Sequence, residues 1–250
     1  MKKLLLSSLF GAAVVAGYAT SYTYSPTPND LGDLAHNSAY TWGITDAGLA
    51  SQLASGGYRI ASATLTIRNL YNWDKSDTDN QLFIHLLDNP VTGVGTVIDD
   101  PNDNGINQGV VSDYFAGKVS GNYVNGKWVA YGYADTSTGA ALATGGTNTY
   151  LTQYHDTDGP MSLLSLWTYN FSASNLSTLT SYIADGHNGG SGFADFGIGF
   201  DPDCHFYNDG ITLNITTVRV PEGGMTLIMI GCGLVALVCY YKFSRRKKVD

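Results

Sequence analysis

Two polar clusters in this chain have the residue types and spacing to hold a hard cation. Asp100-Pro101-Asn102-Asp103-Asn104-Gly105 matches the first half of a calcium loop, with Asp100, Asn102 and Asn104 as alternating oxygen ligands and glycine at the sharp turn. Position twelve of that loop would be Val111 instead of a bidentate glutamate, so it is not an EF-hand; Asp99 or Asp113 could supply a carboxylate. The second cluster, Asp201-Pro202-Asp203-Cys204-His205-Phe206-Tyr207-Asn208-Asp209-Gly210, offers Asp201, Asp203 and Asp209 as calcium ligands. Both clusters also fit ordinary turns whose short carboxylates bond backbone N–H groups. Zinc at Cys204 and His205 is the poorer reading, because adjacent residues seldom aim at one metal and no partner pair is visible.

Catalysis has no comparable signature. Neither G-x-S-x-G, HExxH nor a phosphate loop occurs. His85, between Ile84 and Leu86, reads as a core histidine that satisfies a hydrogen bond. Asp30, Asp33 and His36 fall at helical spacing and read as a solvated face. Aspartates are numerous enough for a glycosidase pair, but any two could be chosen, so none is assigned. Trp42, Trp73, Trp128 and Trp167 could stack on sugar rings; Trp73, followed by a polar run, is expected nearest the surface.

The elements that must position these groups are strands. In Arg59–Leu70, Ala61, Ala63, Leu65 and Ile67 alternate with polar residues, the pattern of a half-buried strand. Gln81–Leu87 is apolar on both faces except at His85 and suits a central strand covered on both sides. Trp128–Tyr133, Asn148–Tyr154, Leu163–Phe171 and Ile211–Val220 are further strands. Phe193–Phe200 alternates phenylalanine and isoleucine with Gly197 and Gly199, so another backbone or a ligand is expected close against one face. One helix is expected after Ser174 as cap, with Leu176, Leu179 and Ile183 on a stripe and Gly186 as its stop; Asn29–Ser38 suits a second. Gly139–Thr149 reads as a loop. The fold class is therefore all-β: an antiparallel, jelly-roll-like β-sandwich with one or two short helices, in one domain spanning 20–219.

Composition narrows the partners. Between Thr20 and Arg219, six cations stand against nineteen aspartates and no glutamate, a net −13. Nucleic acid is disfavoured, since the phosphate term would be repulsive. Cys204 is the sole cysteine of that region, so it cannot form an intrachain disulfide there and reads as buried.

The ends carry an address. Residues 1–19 read as a signal peptide: Lys2 and Lys3, an apolar stretch from Leu4 to Gly17, then small residues suited to cleavage after Ala19 or Ser21. At the other end, Val220-Pro221-Glu222-Gly223-Gly224 precedes the apolar run 225–241 and the basic tail 242–248. As a helix the run would span roughly 25 Å, close to the ~30 Å hydrocarbon core, with its cations on the cytoplasmic side. This tail resembles the PEP-CTERM group of bacterial sorting domains, most closely its Val-Pro-Asp/Glu-(Ser/Gly)-Gly variants. The resemblance covers 220–248, and Gly223 stands where the name-giving pattern has a second proline. It implies an exported bacterial protein with an exosortase-like processing enzyme as partner, in a cell that secretes exopolysaccharide. The function expected is non-catalytic: structural, adhesive or matrix-associated. A calcium-dependent carbohydrate-binding module is the alternative, and a polysaccharide-cleaving enzyme the weaker one.

Overall fold

The structure, a computed structural model, describes residues 18–36, 38–73, 81–98, 110–115, 117–124, 127–133, 148–156, 163–186, 192–220, 231–238 and 240. The chain is mostly β and its sheets are antiparallel. Two five-stranded sheets carry the core. The first contains β1 (Ala19–Tyr24), β13 (Gly210–Arg219), β3 (Tyr58–Asn72) and β10 (Leu164–Asn170) in that order, with β12 (Phe206–Tyr207) also on β3. The second runs β5 (Gly93–Ile98), β2 (Ser38–Ile44), β11 (Phe196–Pro202), β4 (Gln81–Asp88) and β9 (Asn148–His155). A three-stranded sheet of β6 (Val110–Asp113), β7 (Gly117–Val124) and β8 (Lys127–Tyr133) stands apart from them in pairing.

Period-2 alternation decides which side chains meet. Leu65 and Ile67 of β3 and Ile211, Leu213 and Ile215 of β13 face the same core as Ile84 and Leu86 of β4 and Ile198 and Phe200 of β11. Helix α1 (Ala47–Ala54) adds Leu49 and Leu53, and α2 (Ala173–Asp185) adds Leu179 and Ile183. Tyr22 and Tyr24 tie β1 to the α1 region, their hydroxyls donating to Gln52 and Asp46 at 2.9 Å each.

The helices correct the expectation in two places. The N-cap of α2 is Ser172, which accepts from Asn175 N–H, so Ser174 lies inside the first turn; the stop at Gly186, φ +68°, is where it was expected. No helix forms at 29–36, because Leu31 and Gly32 adopt positive φ and Leu34 pairs with Phe206 as an isolated bridge. The second helix is instead α1, capped by Asp46 accepting from Gly48 and Leu49 N–H.

Gly197 and Gly199 behave as the alternation predicts, on the outer face of the second sheet. A Cβ at Gly199 would lie 2.7 Å from the Phe115 ring, and one at Gly197 2.6 Å from Pro90. The approaching groups belong to the chain itself. Tyr114 and Phe115 cover this face with Ala39 and Leu87, which is why β4 is buried almost throughout.

At the ends, β1 begins at Ala19, so cleavage after Ser21 would remove half its rungs to β13 while cleavage after Ala19 spares nearly all. Val220 N–H donates to Gly57 O at 2.9 Å, tying the end of β13 to the residue before β3. Pro221 to Gly224 and residues 1–17 lie outside the described residues, as do 225–230, 239 and 241 of the expected span. Residues 231–238 are helical with Leu234, Val235, Leu237 and Val238 exposed. Among the described residues no helix is long and apolar enough to cross a membrane.

Candidate binding face on the first sheet

The histidine that could have been a general base is locked away. His85 and Asp113 are 1 % and 0 % exposed, with Nε2 to Oδ2 at 2.8 Å. His85 Nδ1 lies 3.2 Å from Asn148 Oδ1, Asn148 donates to Phe115 O, and Phe115 N–H donates back to Asp113. The ring closes on itself under Phe115 and Tyr150, so no substrate atom reaches it. It fulfils the core hydrogen bond expected of His85.

The aspartates at 201–209 do not converge. Asp201 is buried beneath the second sheet's cover and accepts from Tyr114 N–H at 2.6 Å. Asp203 N–H donates to Gln81 O. Asp209 lies on the first sheet's outer side, accepting from Tyr207 O–H and from Asn69. Those donors, Tyr207 first and then Asn69, hold its carboxyl below the ordinary aspartate value, with help from the Arg68 charge; the same bond to Asp209 raises the Tyr207 phenol. Asp100, Asn102 and Asn104 lie outside the described residues. Among the described residues no group of three or more His, Cys, Asp or Glu is arranged to hold a metal ion. Cys204 is buried, as expected, and its thiol donates to Asn72 Oδ1.

The outer face of the first sheet is what remains open. Its four long strands contain no acidic residue, although residues 20–219 hold nineteen aspartates. Aspartate is disfavoured in strands, so the acids collect in turns. Side chains here stand in rows: Thr212, Thr66 and Thr168 across β13, β3 and β10, then Asn214, Thr64 and Asn170. Thr23 of β1 joins the second row, and Ser21, Thr216 and Ser62 make a third. Cross-strand bonds order them, Thr23 to Asn214 at 2.7 Å and Thr64 to Asn170 at 3.0 Å. The spacing is that of any sheet, about 4.8 Å between strands and about 6.8 Å along them.

Beyond Arg68 the face turns aromatic. Asn69 takes φ +49°, and the inward parity changes from Leu65 and Ile67 to Leu70 and Asn72, so Asn69, Tyr71 and Trp73 all point outward. Opposite them stand Asp209, Tyr207 and His205, with Tyr71 and Tyr207 paired in register and their rings 5.1 Å apart. Trp73 N–H donates to His205 O, and the two rings stack at 4.4 Å and 11°. His36 closes the end of this ladder, its Nδ1 2.9 Å from His205 Nε2. Trp73 is 44 % exposed, as its polar flank suggested, whereas Trp42 is in the core.

Sequence reasoning found Trp73 and the 201–210 cluster but not their juxtaposition with His36, 169 residues from His205. One signal was available: the strand segments of this sheet are free of aspartate. No family model matches the chain, and no curated protein matches it.

Proposed function

We propose that the chain is an exported, non-catalytic β-sandwich of the bacterial envelope that associates with exopolysaccharide through the outer face of its first sheet. The observation that carries this reading is Trp73, an exposed indole held flat against His205 beside the Tyr71–Tyr207 pair. A pyranose offers apolar C–H faces to such rings and hydroxyls to the Ser, Thr and Asn rows alongside. Strands without acidic residues, and an Asp209 set beside the Arg68 charge, also let a strongly acidic protein approach a neutral or anionic glycan on this face with little repulsion.

Two sheets sharing one core support the sandwich reading. The burial of His85 and Asp113 supports a non-catalytic role. The sorting tail supports export and processing by an exosortase-like enzyme, with the exposed apolar side chains of residues 231–238 suited to lipid until the tail is removed. Calcium has no part in binding through rings and hydroxyls.

Affinity electrophoresis of the detergent-solubilised full chain through gels holding the host exopolysaccharide tests the proposal. Trp73→Ala should weaken retention about two- to tenfold, since an aromatic contact contributes about 0.5–1.5 kcal/mol. The melting temperature should barely change, and a chelator should leave retention intact. Equal retention of wild type and variant, or no retention of either, refutes the face as the binding site.

A further inference from the structure

We propose that His36 and His205 form a two-imidazole site for a divalent transition-metal ion, copper(II) first and zinc(II) or nickel(II) after it. This rests on the histidine geometry and is independent of the polysaccharide reading. The residues adjacent in sequence separate in the fold: Cys204 turns inward to Asn72 while His205 turns outward. The partner that no spacing rule could reveal comes from the 31–36 segment.

The geometry suits shared ligation. His36 Nδ1 and His205 Nε2 lie 2.9 Å apart, and the rings meet edge-on at 64°. Two neighbouring ligands at about 2.0–2.1 Å from one ion sit roughly 2.9–3.4 Å apart, from the square to the tetrahedral angle. A tilt of either ring therefore brings both lone pairs onto one point, the ion replacing the proton that now bridges them. In the neutral pair that proton moves to the other nitrogen of its own ring, so none need be lost.

Both rings are held before any ion arrives. Leu34 and Phe206 exchange two backbone hydrogen bonds of 2.9 Å, which fix the segments carrying the histidines side by side. Tyr40 braces the first segment, accepting from Ala35 N–H and donating to Asp33 O. Trp73 covers one face of His205. Such support is what keeps a ligand in its binding orientation. Both histidines are half-buried, leaving a solvent side from which water can complete the coordination. Imidazole nitrogens favour copper, nickel and zinc over calcium or magnesium, with copper(II) bound tightest by the usual order.

Titration of the full chain in detergent with copper(II) alone, and separately with zinc(II) alone, tests the site. Wild type should bind one ion at the pair with micromolar or tighter affinity. Copper(II) should quench Trp73 fluorescence and show two nitrogen ligands by electron paramagnetic resonance. His36→Ala and His205→Ala should each lose more than about a hundredfold in affinity, beyond the roughly 10–100-fold loss typical of a merely supporting residue. Trp73→Phe should lose the quenching, and His155→Ala should match wild type. Far-UV circular dichroism verifies that the histidine variants fold. If wild type shows no saturable binding, or if either folded variant retains the wild-type affinity and two-nitrogen spectrum, the proposal fails.

Discussion

Gly199→Ala is the most direct probe of how the second sheet is sealed. The new Cβ would lie 2.7 Å from Phe115 Cζ and 2.8 Å from Cε2, where carbon contacts prefer about 3.5–4.0 Å. The strand cannot retreat, because Gly199 pairs with Thr41 of β2 on one side and His85 of β4 on the other. The ring must therefore move by close to an ångström. Phe115 is buried beside His85 and Tyr114, and its backbone N–H and C=O are held by Asp113 and Asn148. Overpacking of this kind costs about 1–3 kcal/mol. For a domain of this size that lowers the melting temperature by roughly 2–4 °C per kcal/mol. Phe115→Ala alone should cost about 3–5 kcal/mol through the lost ring. In that background Gly199→Ala has nothing to strike, and should be neutral or stabilising by up to about 1 kcal/mol, since alanine loses less backbone entropy than glycine. A urea-unfolding double-mutant cycle reads the coupling directly. Effects that add within about 0.5 kcal/mol would refute the contact.

The remaining expectations concern buried and exposed carboxylates. Asp113→Ala strips His85 of its carboxylate partner in a closed network and should destabilise by at least about 1–3 kcal/mol, measured by urea unfolding; a loss below that range would show the network to be slack. Asp209 has its pKa depressed, so its contribution is complete above the ordinary aspartate value of 3.8 and fades as pH falls through the lower folded-state value. Stability profiles of wild type and Asp209→Asn should therefore separate at neutral pH and converge in acid, and a constant gap down to the acid limb would contradict the assignment.

Strands were legible wherever one face of a segment is apolar and the other polar. β3 and β13 alternate over many residues, and β4 announced its double burial through apolar residues at both parities. The narrow approach at Gly197 and Gly199 was legible too, since missing side chains in a strand leave a trough to be filled. What filled it was not, because Phe115 comes from a separate part of the chain. α1 escaped notice because it is short and its apolar stripe is only Leu49 and Leu53. The 29–36 segment misled by spacing alone, its backbone being turned by Leu31 and Gly32 and captured by Phe206.

By itself the sequence determined the all-β class, the placement of β3, β4, β9, β10, β11 and β13, the cost that nineteen aspartates impose on binding polyanions, and the burial of His85 and Cys204. These follow from local periodicity, charge and side-chain chemistry, which need no knowledge of distant neighbours. Only the tertiary structure decided that Asp201 and Asp209 would point to different sides, that His36 would meet His205, and that Asn69, Tyr71 and Trp73 would share a rung-by-rung ladder with Asp209, Tyr207 and His205. Such contacts depend on strand register and on one change of parity at Asn69, where a single residue out of phase turns the following side chains to the opposite face.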